Sequence, residues 1–151
     1  DDVKQALAYL GVEMKRFAYD LPYKHKVKFW LDQYLDGKLA DSKSYRVGQD
    51  PGKASILVLK HQIGDSIRYT INLSSGNSRR IVSFGNIARR GYNSSGTQRM
   101  SDIVLRSDKK APIYVYLSSP AGLSFKADDP LDQIISRIKM VIVISAELQL
   151  E

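Results

Sequence analysis

An antiparallel β-sandwich, immunoglobulin-like or jelly-roll in form, is the fold class that this 151-residue sequence predicts. Three observations carry the reading. An alternating run from Lys26 to Tyr45, with Phe29, Trp30, Leu31 and Tyr34 in its first half, breaks at Asp36-Gly37 and resumes through Leu39. Asp-Gly tolerates the positive φ angles that a tight turn between right-twisted strands requires, so this segment reads as a β-hairpin. Seven to nine short β-rich runs follow one another at near-regular spacing, separated by Gly, Pro, Asn and Asp rather than by helices long enough to make βαβ units. The longest apolar run, Met140 to Ile144 with Ile138 before it, is far too short to cross a bilayer and suits a strand covered on both faces. A small Greek-key barrel of the oligonucleotide-binding kind is the alternative architecture.

Taken in order, Asp1 or Asp2 caps a short helical stretch whose Val3, Leu7 and Leu10 share one face, and Gly11 ends it. A strand runs from Val12 to about Tyr19 and breaks at Leu21-Pro22. The hairpin comes next, with Val27, Phe29 and Leu31 on one face and Trp30 and Tyr34 on the other. Gly48, Asp50, Pro51 and Gly52 form a loop. Ile56 to His61 and Ile67 to Leu73 make a second hairpin around Gly64-Asp65, and Arg80 to Phe84 is a short strand. The stretch from Gly85 to Gln98, rich in Gly, Asn and Ser, reads as a long exposed connection. Ile103 to Leu105 is a brief strand, and Ile113 to Leu117 a clearer one with Tyr114 and Tyr116 opposite Val115. Asp129 then caps a short helix that has Pro130 at its first position and Leu131, Ile134, Ile135 and Ile138 at helical spacing. The final strand covers about Lys139 to Leu148. No repeat or domain boundary is visible, so residues 1–151 read as one domain, and a chain of this length buries roughly 70% of its unfolded surface without staples.

No cysteine is present, which excludes disulfides and thiolate metal sites. The only histidines, His25 and His61, stand far apart without metal-ligand spacing and read as structural. Asp128, Asp129 and Asp132 lack the periodicity of a calcium loop, and Asp129 and Asp132 read as carboxylates at a helix start. The serine pairs lie in no Gly-x-Ser-x-Gly elbow or Ser-x-x-Lys arrangement, and Gly85-Asn86 and Gly91 to Gly96 do not reproduce a phosphate-cradling loop. With no two carboxylates shown to converge, the sequence predicts no catalytic residue, metal or cofactor, and a protein that is not an enzyme.

Charge is the remaining signal. Of the 23 basic residues, six arginines (Arg68, Arg79, Arg80, Arg89, Arg90 and Arg99) fall between Ser66 and Ser101, where there is no lysine and no acidic residue. The other 17 basic residues face 16 acidic ones, so +6 of the net +7 sits in this one segment. A solvated, solubilising face explains such a run; an anion site explains it more specifically, because guanidinium forks bind phosphate or carboxylate in a bidentate manner. The expected anion-binding set is Arg79, Arg80, Arg89, Arg90, Tyr92 and Arg99, with Phe84 and Tyr92 as stacking surfaces.

The hairpin residues Trp30-Leu31-Asp32-Gln33-Tyr34-Leu35-Asp36-Gly37-Lys38-Leu39 follow a W-x-x-x-Y-x-x-G-x-L pattern. This pattern resembles one in uncharacterised secreted or lipoprotein domains of Gram-positive bacteria. The resemblance covers about ten residues and implies a β-sandwich module outside the membrane, with no catalytic residues to carry over. The chain starts at Asp1 rather than methionine, so a signal peptide or lipid anchor ahead of it is compatible with that location, extracellular or anchored at the cell surface. The function expected is a non-enzymatic cell-envelope module binding an anionic wall polymer, an acidic glycan or an acidic protein. The alternative is a nucleic-acid-binding barrel, whose basic aromatic segment tracks phosphates.

Overall fold

The computed structural model describes residues 2–10, 12–64, 66–76, 78–88, 94–98, 109–119 and 129–150. These form nine strands and two short helices: α1 (Asp2–Tyr9), β1 (Val12–Leu21), β2 (His25–Leu35), β3 (Lys38–Gln49), β4 (Gly52–Ile63), β5 (Ser66–Ser75), β6 (Ser78–Ala88), β7 (Ser94–Gln98), β8 (Ala111–Ser119), α2 (Leu131–Arg137) and β9 (Met140–Leu150). The protein is all-β in character. The chain gathers into two compact units, one built from Asp1–Lys26 and Val47–Arg90, the other from Val27–Arg46 and Gly91–Leu150.

The first unit is organised by a four-stranded sheet of order β1-β4-β5-β6, antiparallel throughout. Its register sets up cross-strand rows that explain the burial. On one face Phe17, Ile56, Leu73 and Arg80 share a row, Lys15, Val58, Ile71 and Val82 the next, and Glu13, Lys60, Tyr69 and Phe84 a third. The apolar members on the two central strands, Ile56, Val58, Ile71, Leu73 and Tyr69, are fully buried. Lys60 lies among them, buried, with its ammonium 3.3 Å from the Glu13 carboxylate. The opposite face carries Ser55, Ser74 and Arg79 in one row, and Ser55 and Ser74 hydrogen-bond through their hydroxyls at 2.9 Å.

The second unit is organised by most of a five-stranded sheet of order β3-β2-β9-β8-β7, residues 25–26 of β2 and 47–49 of β3 counting with the first. Asp36 (φ 51°) and Gly37 (φ 80°) both take positive φ at the β2–β3 turn, the pattern of a type I′ turn at the predicted hairpin. Val27, Phe29 and Leu31 are buried as the alternation requires. Ile113 to Ser119 of β8 and Met140 to Ala146 of β9 are buried without interruption, so both strands are covered on both faces. On one of these faces Val115, Leu117, Val141 and Val143 pack with Ile134 and Ile138, against which Tyr34, Leu131 and Ile135 also lie. Pro112 sits at a register shift beside Tyr114, where a missing N–H does least harm to the ladder.

Three expectations are corrected. Gly85 to Gln98 is not one connection: Gly85 to Ala88 continue β6 and Ser94–Gln98 is β7, pairing with Val115 to Ser119 of β8. Polar composition hid these strands because their identity lies in backbone pairing rather than side-chain alternation. Second, Pro130 itself is the N-cap of α2, with no side-chain cap bond, and Asp129 lies before it. The Asp129 carboxylate meets the Arg137 guanidinium at 3.4 Å. Third, Phe84 is fully buried in the row with Tyr69 and offers no stacking surface. The expected strand at Ile103 to Leu105 and Asp128 lie outside the described residues. Among those described, no helix is long and apolar enough to cross a membrane.

Candidate anion-binding site

The arginine segment divides on the structure. Arg79 and Arg80 are adjacent on β6 and therefore project to opposite faces of the sheet: Arg79 is opposite Ser74, Arg80 opposite the buried Leu73. Arg68 lies on β5, exposed, across from His61. Arg89, Arg90, Tyr92 and Arg99 lie outside the described residues. Arg80 is the member of the predicted set that the structure places in a cleft, and its companions there come from parts of the chain the sequence did not single out.

That cleft, about 230 Å³, belongs to the first unit and is lined by Lys24, His25, Gly48, Gln49, Asp50, Ser78 and Arg80. The strand geometry accounts for it. Ser78 and Arg80, two apart on β6, project to the same side, at the end of the rows that Ala54 and Ile56 bury. Pro22 and Tyr23 bend the chain between β1 and β2 and present Lys24. Gln49 ends β3, and Asp50 turns toward β4.

His25 fixes this corner. Its Nδ1 lies 3.1 Å from the carbonyl oxygen of Tyr23. A carbonyl only accepts, so Nδ1 carries the proton and donates it. Nε2 lies 2.8 Å from the Tyr19 hydroxyl, which donates to it when the imidazole is neutral. The two rings meet edge to face at 5.4 Å between centroids. Burial pushes the Tyr19 phenol up to about 12, since desolvation disfavours the phenolate, so Tyr19 keeps its proton at ordinary pH. Both ring nitrogens of the buried His25 are thus committed to holding the backbone that carries Lys24, and His25 shapes the wall rather than presenting a free donor.

The remaining groups converge as donors. Gln49 is only 6% exposed, and its Nε2 has no hydrogen-bond partner among the described residues. A buried amide N–H left without an acceptor costs about 1–3 kcal/mol, a cost that an incoming oxygen ligand removes. The ammonium of Lys24 and the guanidinium of Arg80 are exposed and make no ion pair among the described residues. With the Ser78 hydroxyl they make a lining of hydrogen-bond donors suited to an oxyanion. Asp50 is the exception, a carboxylate that accepts. Lys24 and Arg80 against Asp50 leave the cleft at +1.

A second depression, about 340 Å³, is lined by Met14, Lys15, Arg16 and Leu57. Lys15 and Arg16 alternate about the edge strand β1, so this depression wraps an edge and gathers no convergent set of donors. Among the described residues no three histidine, aspartate or glutamate side chains come together as a metal site would need. Comparison of the chain with protein-family models, with curated proteins and with solved structures returns no match.

The sequence could have found Arg80 through its charge and did. Gln49 and Lys24 carried no local signal, because an amide at a strand end and a lysine after a proline bend are commonplace; only the placement of the β1–β2 and β3–β4 connections beside β6 brings them to one place.

Proposed function

We propose that the protein is a non-enzymatic binding module of the β-sandwich class that holds an anionic group in the cleft between Lys24, Gln49 and Arg80. The observation that carries the reading is Gln49, a buried residue of the cleft lining whose Nε2 has no hydrogen-bond partner among the described residues, beside Lys24 and Arg80, two cations without ion-pair partners among those residues. One phosphate or carboxylate oxygen satisfies the amide, while Lys24 supplies a point charge and Arg80 a planar fork. Two charge-assisted hydrogen bonds of about 1.5–3 kcal/mol each give weak to moderate affinity for a single group, and repetition along a polymer raises it by avidity.

Asp50 narrows the ligand. Its carboxylate repels a bare multivalent anion but accepts a hydrogen bond from a hydroxyl adjoining the anionic group. The cleft, at about 230 Å³, has the volume of roughly seven or eight waters, enough for a phosphate with a short polyol arm. A hydroxyl-bearing anion, such as a polyol phosphate or an acidic sugar of an envelope polymer, fits this pattern best. Such polymers lie outside the membrane, the location that the hairpin resemblance implies.

Calorimetric titration with glycerol phosphate and with inorganic phosphate tests the reading. Arg80→Glu and Lys24→Glu are expected to abolish binding of both ligands, and Asp50→Ala to weaken glycerol phosphate while sparing or tightening inorganic phosphate. Affinity should fall with added salt, since exposed charges are screened over about 8 Å at physiological ionic strength. Equal binding by wild type and Arg80→Glu would overturn the assignment.

A further inference from the structure

Strand β3 is the terminal strand of its five-stranded sheet among the described residues, and it is long: twelve residues, Lys38–Gln49. Every residue from Lys38 to Arg46 is exposed, on both faces of the strand, including Leu39 at 56% and Tyr45 at 45%. An open edge of this kind presents a row of backbone N–H and C=O groups ready to pair with another strand, and soluble proteins usually blunt it with proline, a bulge, shortness or charge; the central charges here, Asp41 and Lys43, are of opposite sign and lie 3.9 Å apart. Within Lys38 to Arg46 there is no proline, and the strand runs unbroken.

We propose that this edge is a dimer seam, in which two copies of β3 pair antiparallel about a two-fold axis at Ser42. The side-chain order of the strand is self-complementary about that point. With Ser42 opposite Ser42 of the partner subunit, Asp41 faces the partner's Lys43 and Lys43 faces the partner's Asp41, so opposite charges meet twice. Leu39 faces the partner's Tyr45 and Tyr45 the partner's Leu39, which covers the two large apolar side chains left exposed on this strand. Ala40 faces the partner's Ser44. Directly opposed pairs of this kind are the unit of stabilisation between antiparallel strands.

The register is also protected against its neighbours. A strand pairing antiparallel with its own copy matches outward-facing groups only when the two paired residue numbers sum to an even value, so the adjacent registers sum to 82 and 86 rather than 84. The first sets Asp41 against the partner's Asp41, and the second sets Lys43 against the partner's Lys43; both juxtapose like charges that the central register avoids. At the ends Lys38 meets the partner's Arg46, a solvent-screened repulsion that bounds the seam. Nine paired residues span about 30 Å, and once both edges are used no strand remains to recruit a third copy by the same contact. The closed, isologous pair is thus distinct from open-ended aggregation.

The test is a charge exchange read by sedimentation equilibrium and light scattering on the full chain. Wild type is expected to be a reversible dimer. Asp41→Lys presents two lysines and Lys43→Asp two aspartates, so each variant alone should dissociate at least about tenfold more readily. Mixed one to one, the two variants regenerate both opposite-charge pairs and should form a heterodimer near wild-type affinity. Circular dichroism confirms that the exposed substitutions leave the fold intact. Because the chain has no cysteine, Ser42→Cys introduces a single thiol; it also removes the 2.6 Å bond from the Ser42 hydroxyl to the buried Asp32, so its fold is checked by circular dichroism first, and under mild oxidation the folded variant should give a disulfide-linked dimer. A wild type that stays monomeric up to its solubility limit, a mixture no more associated than its components, or a dimer that Ser42→Cys does not cross-link would each overturn the seam.

Discussion

Replacing Lys110 by methionine removes one charge and keeps most of the side-chain stem, which isolates the electrostatic role of a residue on the hairpin's flank. Asp32 is buried, with only 4% of its side chain exposed, and its two carboxylate oxygens accept from the Ser42 hydroxyl at 2.6 Å and from the Lys110 ammonium at 2.7 Å. The same ammonium lies 5.0 Å from the centre of the Trp30 ring, which Lys28 also approaches, at 4.7 Å. Stripping one partner from a fully buried pair costs about 3–5 kcal/mol. Here the Lys110 side chain is 42% exposed, so water replaces part of the lost contact, and the electrostatic penalty falls to about 2 kcal/mol. Loss of a cation–π contact adds about 0.5–1 kcal/mol. A total of about 2–3 kcal/mol lowers Tm by roughly 5–10 °C for a chain of this length. Urea unfolding followed by fluorescence of Trp30, the single tryptophan, reads this region directly, and the midpoint should fall while the slope is kept. In the double-mutant cycle with Asp32→Asn, the two changes should couple by at least about 1 kcal/mol. A Lys110→Met chain within about 0.5 kcal/mol of wild type, or a cycle that adds without coupling, would refute the claim that the buried carboxylate depends on Lys110.

Two further outcomes follow from the backbone and from Tyr19. Gly37→Val places a β-branched residue at φ 80°, beside the Ser136 Cα that lies 3.6 Å from where its Cβ would stand, and should cost about 1 kcal/mol or more in the same unfolding assay; an unchanged midpoint would mean that the turn is not type I′. Tyr19, with its phenol raised from 10.0 to about 12, retains its proton in the folded state over a range where the unfolded chain loses it, so its contribution is intact below pH 10 and is lost between pH 10 and about 12. Lys15, lowered below 10.5 by burial, acts in the opposite sense on approach to that pH. Stability should therefore fall less steeply above pH 10 in Tyr19→Phe than in wild type, and parallel pH profiles would show that the phenol is not desolvated.

What the sequence made legible was what short-range chemistry decides. Asp36-Gly37 announced its turn because few residue pairs accept two positive φ angles, and Met140 to Ile144 announced a strand covered on both faces because no solvent-facing polar residue interrupts it. Strand ends were another matter. Ser94–Gln98 and Gly85 to Ala88 carry small and polar residues, and only their partners on β8 and β5 make them strands. Asp129 and Pro130 marked the start of α2 within one residue, while the pairing of the Asp129 carboxylate with Arg137, eight positions away, was not visible in the sequence. Lys60 would have been placed on a wet face by composition, yet its row between Glu13 and Tyr69 buries it. The cleft was legible only through Arg80, since Lys24, Gln49 and Asp50 are brought beside it by tertiary placement and not by any spacing along the chain.

The most direct test of the binding claim is a nuclear magnetic resonance titration with glycerol phosphate that follows the side-chain amide of Gln49 and the guanidinium of Arg80. The account predicts that the Gln49 Nε2 resonances move on binding, together with Arg80 and the backbone of Gly48 to Asp50, and that these shifts vanish in Arg80→Glu. Perturbations confined to residues outside the cleft, or a Gln49 amide that stays unmoved while the anion binds, would contradict it.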